Sequence, residues 1–499
     1  MREEALQALK DGEIGRALSL WRQLTAGNPD PTLLLEHFQV LAELHHLGES
    51  PAVLAKLRAH PDATPAQLLP AAKILFQVGR FGESARFTRA ALARAPDHPD
   101  IAAMHAASLE RSGNAGEARS VVRRTLSRHP QHARSLRLLA HIERRAGRLE
   151  AARDLLVRHL AEHPSAEDWR LRYELAPVLD RLGEYAEAVR TLALAKHQLH
   201  APSEAQRPAW RAMTERQWSL TTSLDPERLE AWARTAEELR PPLRLCLMGG
   251  FPRSGTTLLE QVLTAHPECL GTDETGILAN RFRNPLVMSA ASAAAAVAEF
   301  DAMSADALSA GRAEYLRCTE DFLDEAVGGR LLVEKDPLLT ADLAVPLRLF
   351  PDAKILMPLR DPRDVVLSFF FTIVPLSANS VAAASLGDSC RYYAEVMRHW
   401  LFLREPLGPG RAMESRYEDL LAQPEAQTRR LAGFLELEWS PEMIEHHHAR
   451  REKSVRTPTY DDVSKPLYTR SLGRWKNYER WLEPHLSHLE PFLEAFAYP

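Results

Sequence analysis

Cysteine, long apolar runs and surplus charge are all scarce in this chain of 499 residues. The four cysteines are scattered and form no Cys-x-x-Cys pair, so we expect reduced, partly buried thiols rather than a disulfide framework. There is no run of about 18 apolar residues and no signal-peptide core after Met1, so we expect a cytoplasmic protein without a membrane span. The formal net charge of -5 gives no general reason to expect nucleic acid, and any cationic site must be local.

The first half of the chain contains an internal repeat. Glycine recurs every 31 to 36 residues, at Gly12, Gly48, Gly79, Gly113, Gly147 and Gly183. Alanine lies seven residues before the last four glycines and five residues after four of the six, at Ala72, Ala106, Ala140, Ala176, Ala17, Ala118, Ala152 and Ala188. Proline follows four of them by 17 residues, at Pro29, Pro96, Pro130 and Pro164. Small residues let antiparallel helices approach closely, glycine turns the chain, and proline ends the second helix.

This pattern resembles the tetratricopeptide repeat, whose period is about 34 residues. Six units cover residues 1–200, and the second unit is weak because Leu41 replaces the small residue. An unrelated helical bundle is the alternative, but it does not explain the regular spacing. Such repeats offer a groove for a peptide or a protein partner, while a structural or dimerising role stays open. Residues 201–242 predict a helical connector that ends near Arg240–Leu243.

The second half of the chain predicts an α/β domain with a parallel sheet. Three apolar runs, Leu243–Met248, Leu331–Glu334 and Lys354–Leu359, alternate with helical patterns. Pro358 lacks a backbone donor, so we expect the third strand to end or bulge there. In such domains ligands collect at the carboxyl ends of the strands, which is where the motifs of this half fall.

The first strand leads into Gly250–Thr257, which nearly fits the phosphate-binding pattern GxxxxGK[ST]. The lysine of that pattern is missing, since Thr256 stands in its place, while Arg253 lies within the loop. Backbone N–H groups around Ser254–Thr257 and the start of the next helix predict a phosphate cradle. An ordinary strand–turn–helix junction is the alternative.

The third strand leads into a capped helix. Asp361 suits the N-cap and Pro362 the first helical position, so a helix is predicted to begin here. Arg360 then stands at the strand end and Ser368 about two turns along the helix. Arginine offers bidentate geometry for a second phosphate, although the motif alone also fits a plain capped helix.

Together, PRSGTT after a strand and RDPRDVVLS about a hundred residues later resemble the sulfotransferase family over Leu243–Trp481. The resemblance implies that the donor is 3′-phosphoadenosine 5′-phosphosulfate (PAPS), that the product is adenosine 3′,5′-bisphosphate (PAP), and that no metal takes part. It also accounts for the missing lysine, because this donor has no γ-phosphate to activate. The implied donor-binding residues are those of the loop and of the second motif: Arg253, Ser254, Gly255, Thr256, Thr257, Arg360 and Ser368.

Further matches are closest to the tyrosylprotein-type branch and to bacterial repeat-containing sulfotransferases. They imply three catalytic residues: Glu274 as the base, Lys335 as the cation beside the leaving phosphate oxygen, and Ser471 at the bridging region. They also imply four residues against the nucleotide: Tyr417, Gly473, Arg474 and Trp475. The branch has an arginine where Thr372 stands, which leaves one cation for the 3′-phosphate unassigned.

Residue-based alternatives stay open beside these roles. Glu274 could be a surface carboxylate, with Asp273 the neighbour most easily mistaken for it, Lys335 an exposed lysine at a strand end, and Tyr417 a core residue. His446–His448 are interpreted as a solvated helix face, because adjacent histidines cannot share one face to hold a metal.

The sequence therefore predicts sulfuryl transfer from PAPS to an acceptor hydroxyl, with tyrosine of a peptide or protein as one candidate. Carbohydrate, lipid and small phenol acceptors stay open, and the repeats favour a peptide, protein partner or second copy of the chain. One alternative is an interaction scaffold whose nucleotide-binding domain is degenerate. A phosphate-loop kinase is the other, and Thr256 in the lysine position argues against it. The expected organisation is repeats over 1–200, a connector over 201–242 and a sulfotransferase domain over 243–499.

Overall fold

The computed structural model describes residues 1–27, 29–445 and 472–499. Two predictions, the catalytic role of Ser471 and the solvated face of His446–His448, lie outside the described residues. The chain divides into two compact units. The first comprises Met1–His163 with Glu320–Glu325, and the second comprises Pro164–Thr319 with Ala326–Pro499.

The first unit consists of paired helices, one pair for each of the first five predicted repeats. Its helices are α1 (Arg2–Lys10), α2 (Ile14–Leu24), α3 (Pro31–Glu43), α4 (Ser50–Ala59), α5 (Pro65–Gln77), α6 (Phe81–Arg94), α7 (Pro99–Arg111), α8 (Ala115–Arg128), α9 (Ala133–Arg145) and α10 (Leu149–Glu162). The turn glycines between paired helices are left-handed, with φ of 74° at Gly12 and 85° at Gly113. The second repeat departs from this, because Gly48 lies in a 3-10 helix, Leu47–Glu49.

The alanines predicted from the repeat lie at the helix contacts. In this unit Ala17, Ala72, Ala106, Ala118, Ala140 and Ala152 are completely buried. An alanine methyl group is small enough to let two helix backbones pack closely. The period of alanines in the sequence therefore reflects the positions at which the paired helices pack.

The second unit begins with the last helical pair and continues through the predicted connector. These helices are α11 (Trp169–Arg181), α12 (Tyr185–Glu204), α13 (Arg207–Thr222) and α14 (Pro226–Arg234), followed by a 3-10 helix at Ala236–Glu238. Ala176 and Ala188 are completely buried, as in the repeats of the first unit.

A parallel sheet follows, as the apolar runs predicted. Its five described strands are β1 (Leu245–Met248), β2 (Cys269–Gly271), β3 (Leu331–Lys335), β4 (Lys354–Leu359) and β5 (Ala412–Arg416). All pair in parallel, in the order β2-β3-β1-β4-β5. The three predicted strands are the central ones, so their carboxyl ends are neighbours at one edge of the sheet. The predicted architecture, helical repeats before an α/β domain, is confirmed.

Helices cover the sheet and connect its strands. They are α15 (Thr256–Thr264), α16 (Ala293–Ala302), α17 (Ala305–Leu323), α18 (Ala344–Leu349), α19 (Pro362–Phe370), α20 (Leu386–Arg411), α21 (Tyr417–Ala422), α22 (Pro424–Phe434), α23 (Glu479–Leu482) and α24 (Glu490–Ala495). A π-helix spans Leu278–Met288, and 3-10 helices span Pro337–Asp342, Ala378–Ala383, Pro441–Met443, Arg474–Tyr478 and Glu483–His488. Among the described residues, no helix is both long and apolar enough to cross a bilayer.

The expectation that Pro358 ends or bulges the third strand is wrong. Strand β4 continues through Pro358 to Leu359, and Pro358 is in register with Ser415 of β5. The pairing of β4 with β1 ends earlier, at Leu356. Because no β1 residue is paired opposite Pro358, its missing N–H interrupts no ladder on that side.

Candidate active site

The turn after β1 is fixed by hydrogen bonds and by a close approach. The Thr340 hydroxyl lies 2.7 Å from both the amide nitrogen and the carbonyl oxygen of Gly250, bonding to each. Gly255 has φ of 94°, and a Cβ there would lie 2.6 Å from the Tyr417 ring. Only glycine meets both conditions, so the turn holds one shape against Tyr417.

Helix α15 begins where this turn ends. Gly255 is its N-cap residue, and Thr256 and Thr257 are buried in its first turn. The first amide groups of a helix lack intrahelical acceptors and carry partial positive charge. Such a helix start suits a phosphate group, and a side chain at Gly250 or Gly255 would collide with Ser254 or with the Tyr417 ring beside it.

The two predicted phosphate motifs meet in the structure. Arg253 Nε donates a 3.0 Å hydrogen bond to Ser368 Oγ, across 115 residues of sequence. Arg360 Nη1 donates to the carbonyl oxygen of Arg253 at 3.4 Å, and its guanidinium lies 5.1 Å from the centre of the Tyr417 ring. Two arginines and one hydroxyl therefore gather beside the turn, at the ends of β1 and β4.

Helix α19 starts as its cap predicted. Asp361 accepts a 2.9 Å hydrogen bond from the amide of Arg363, and it also accepts from that side chain at 2.9 and 2.8 Å. The Thr372 hydroxyl donates to the carbonyl oxygen of Ser368 at 3.0 Å, so it closes the end of this helix rather than supplying a charge.

Asp364 is a functional candidate that sequence reasoning missed. Its two carboxylate oxygens accept the amide hydrogens of Gly473 and Trp475, at 2.7 and 2.8 Å, and Arg360 lies 3.6 Å away. Burial raises the pKa of Asp364, against the opposing effect of Arg360 and the two amides. In the sequence, Asp364 is the second acid of the RDPRD motif. An acid is also common in the first turn of a helix, so the motif alone does not mark Asp364 as functional.

Arg474 and Trp475 lie in different surroundings, although they are adjacent. The Trp475 ring lies under the Arg363 guanidinium, 3.9 Å from the ring centre, next to the start of α19. Arg474 instead donates from Nε to Asp180 at 3.0 Å, and its guanidinium covers the Phe371 ring. The expected donor contact of Arg474 therefore competes with a carboxylate partner.

The second cluster surrounds a lysine at the end of β3. Lys335 is completely buried, not exposed at the strand end as the alternative had it. Its Nζ lies 2.8 Å from Glu274, 3.2 Å from Asp273 and 3.5 Å from Glu260. Burial opposes the charge, yet the three carboxylates raise the pKa of Lys335 above its usual value. The lysine is thus a permanent cation, and Glu260 is a partner that the sequence did not reveal.

The segment after β2 carries Glu274 to this lysine. The amide of Glu274 donates to the Lys335 carbonyl oxygen at 3.1 Å, and the amide of Lys335 donates to the Thr272 hydroxyl at 3.2 Å. Asp273 and Glu274 have backbone φ angles of 50° and 62°, which residues other than glycine seldom adopt. The side chain of Glu274 is 38% exposed and that of Asp273 16%, so Glu274 is the more accessible carboxylate.

A small cavity of about 20 Å³ adjoins this segment. Its lining includes Gly276, two residues after Glu274, together with Arg283, Glu334 and Asp336. Burial raises the pKa of Glu334 to about 7 and that of Asp336 to about 6. In the described part of the chain, no group of His, Cys, Asp and Glu side chains is arranged to hold a metal ion.

Comparison with known proteins agrees with this geometry. Residues 246–441 match the model of the sulfotransferase family. This segment of the chain is similar to sulfotransferases. Residues 75–142 and 109–172 match the tetratricopeptide repeat model, so a segment similar to those repeats precedes it. The predicted family relationship is confirmed.

Individual relatives cover different shares of the chain. A putative protein-tyrosine sulfotransferase of Caenorhabditis briggsae is 29% identical over 273 residues, 51% of this chain and 89% of that protein. An uncharacterised protein of Aquifex aeolicus is 25% identical over 343 residues, 66% of this chain and 42% of that protein. The solved sulfotransferase domain of a Synechococcus olefin synthase aligns with 48% of this chain and 88% of that domain, at 19% identity and a TM-score of 0.34.

Proposed function

We propose that this protein transfers a sulfuryl group from PAPS to an acceptor hydroxyl. The observation that carries the proposal is the 3.0 Å hydrogen bond between Arg253 and Ser368, which joins the two phosphate motifs. Lys335, buried at the end of the neighbouring strand β3, lies 2.8 Å from the more exposed Glu274, and the two side chains supply a cation and a base. The sulfotransferase family match over 246–441 supports the same chemistry.

The proposed donor site has two ends. The amides of Ser254–Thr257, with Arg253, would hold the 5′-phosphosulfate, because a helix start and a cation both favour an anion. Arg360 and Ser368 would hold the 3′-phosphate, and Tyr417, against which Gly255 is packed, would lie beside the adenine. A donor with phosphate at both ends of its ribose would therefore be preferred to ATP.

The proposed chemistry divides between two side chains. Glu274 takes the proton of the acceptor hydroxyl while the oxygen of that hydroxyl attacks the sulfur of PAPS. The bond between this sulfur and the phosphate oxygen then breaks. Lys335 stabilises the charge left on that oxygen, a role suited to a cation whose pKa is raised. Ser471 is proposed at the bridging region. We expect transfer to proceed without added metal.

The proposed acceptor is the tyrosine of a peptide or protein. The name of the Caenorhabditis briggsae relative, a putative protein-tyrosine sulfotransferase, supports this choice. The tetratricopeptide repeats support a protein partner, and they keep an interaction scaffold as the second candidate function.

Turnover by a Glu274→Gln variant tests the proposal and separates it from a scaffold. With labelled PAPS and a tyrosine peptide, we expect kcat to fall at least about a hundredfold, because amide cannot act as the base. PAP affinity, measured by calorimetry, should stay within about threefold, since no donor contact is removed. Glu268→Gln is the matched control, because this carboxylate lies just before β2, six residues from Glu274, and is 59% exposed.

Two results would contradict the proposal. Wild-type protein that neither binds PAP nor labels any peptide, carbohydrate, lipid or phenol would exclude a sulfotransferase activity. Full turnover by Glu274→Gln would exclude Glu274 as the base. A phenylalanine version of the peptide should accept no label, which checks that the phenolic hydroxyl is the acceptor.

A further inference from the structure

The segment Gly473–Tyr478 is held at both ends by carboxylates from different helices. Asp364, on α19, accepts the amides of Gly473 and Trp475 at 2.7 and 2.8 Å. Asp180, on α11, accepts from Arg474 Nε at 3.0 Å and from the Tyr478 hydroxyl at 2.6 Å, both at one oxygen. One side of the segment is thus joined to the helix of Ser368, and the other to the last helical pair.

Aromatic packing joins the same two sides. The Tyr478 ring is completely buried and contacts Phe371, three residues beyond Ser368, at 5.7 Å between ring centres. On its other side it contacts Tyr185, the first residue of α12, at 5.3 Å. The Arg474 guanidinium lies 4.5 Å from the centre of the Phe371 ring, so it is fixed by both charge and stacking.

The helix of Ser368 also packs directly on the last helical pair. Phe370 forms a core cluster with Tyr173 and Ala176 of α11 and with Leu192 and Ala195 of α12. Lys196 of α12 lies over the Phe370 ring at 4.4 Å and donates to the carbonyl oxygen of Ala383. Helices α11 and α12 are therefore built into the packing behind the second phosphate motif.

We propose that Asp180 is a positioning residue for donor binding, which acts through Arg474 and Tyr478 to hold Gly473–Tyr478 against α19. This rests on the proposed function, because it takes Arg360 and Ser368 as the 3′-phosphate site. The last helical pair is then a structural part of the donor site. Arg474, implied by family resemblance to touch the nucleotide, acts instead as the link between that segment and Asp180.

The test measures donor and acceptor kinetics of full-length Asp180→Ala with PAPS and the peptide. We expect the donor KM and the PAP dissociation constant to rise about tenfold, while kcat at saturating donor stays within about twofold. A residue that only stabilised the fold would lower the active fraction, and so kcat, without this split. Asp180→Asn keeps the acceptor for Tyr478 but loses the charge, so it should give an intermediate rise and serves if the alanine variant does not fold.

A double-mutant cycle tests whether Asp180 affects donor binding through Arg474. If Asp180 acts through Arg474, Arg474→Ala should weaken PAP binding in the wild type and add little in the Asp180→Ala background. Additive losses, which a direct nucleotide contact by Arg474 would give, overturn the inference. Glu167→Gln is the matched control just before α11, because its carboxylate is 65% exposed and pairs with Arg170 on the surface.

The outcomes separate the two proposals. Wild-type protein that binds PAP and transfers label, with a donor KM unchanged in Asp180→Ala and Asp180→Asn, overturns the positioning role alone. Wild-type protein without PAP binding or transfer overturns both proposals.

Discussion

At the scale of the residue, Lys335 shows how a buried charge is retained. A lone ammonium without exposure to water is strongly disfavoured, but Glu260, Asp273 and Glu274 lie within 3.5 Å of it. Because their combined charge raises the pKa of Lys335, it stays protonated across the range in which an enzyme works. Lys335 is therefore suited to electrostatic stabilisation, and the more exposed Glu274 is the side chain proposed for proton transfer.

Glu334, one residue before Lys335, yields a prediction about pH and stability. Burial raises the pKa of Glu334 from 4.5 to about 7, although the Tyr315 hydroxyl donates to it at 2.6 Å. Its contribution to stability is therefore complete below about pH 4.5 and is lost as pH rises through 7. We expect Glu334→Gln to raise the unfolding temperature by a few degrees at pH 8, equivalent to about 2 kcal/mol, and much less at pH 5.

Thermal unfolding at both pH values, followed by fluorescence, measures this difference. Glu299→Gln is the control, because Glu299 is exposed and its replacement should leave the unfolding temperature unchanged at either pH. Equal stabilisation of Glu334→Gln at pH 5 and pH 8 would show that the buried carboxylate is not the cause.

At the scale of the element, the sequence predicted the sheet centre but not its edges. Strands β1, β3 and β4 are buried, and their apolar runs are visible without any partner. Strand β2 has three residues, and β5 alternates buried and half-buried positions around polar residues. Such strands form because they pair with neighbouring strands, and the local sequence pattern does not encode that pairing.

The residues of the candidate site also differ in whether the sequence predicted them. Gly250–Thr257 and Arg360–Ser368 were predicted because each motif is continuous in sequence and follows a strand. Glu260, Asp364 and Asp180 were not predicted, since each is an ordinary acid of a helix whose partner lies elsewhere in the chain. Tertiary contact alone distinguishes these three carboxylates from the many that face solvent.

The turn before α15 gives a prediction at this scale. In Gly255→Ala, the new methyl group meets the Tyr417 ring at 2.6 Å and the residue must keep φ of 94°. We expect the turn to shift, and PAP affinity to fall at least about tenfold by calorimetry, because the amides no longer converge. Gly433→Ala is the matched control: Gly433 lies within α22 with no atom near its Cβ position, so stability should be unchanged or slightly higher. Unaltered PAP affinity in Gly255→Ala would contradict the cradle.

At the scale of the whole molecule, the boundary between the compact units does not coincide with the end of the repeat pattern. Six helical pairs follow one sequence period, yet the last pair, α11 and α12, belongs to the compact unit that contains the sheet. The described site residues named above belong to that second unit as well. Arg253 and Arg360 form a local cationic group, so a net charge of -5 does not conflict with the proposed anionic donor.

Hydrogen exchange with and without PAP tests this organisation across the chain. Binding should slow exchange in Gly249–Thr264, where the amides meet phosphate, and in α19, which carries Ser368. Because Asp180 and Tyr478 connect that helix to α11, we also expect protection in Trp169–Arg181, by about twofold to tenfold in rate. Repeats within Met1–His163 provide the internal reference, since the described donor residues all lie in the other unit. Protection at the turn and α19 without any change in α11 would show that donor binding does not extend to the last helical pair.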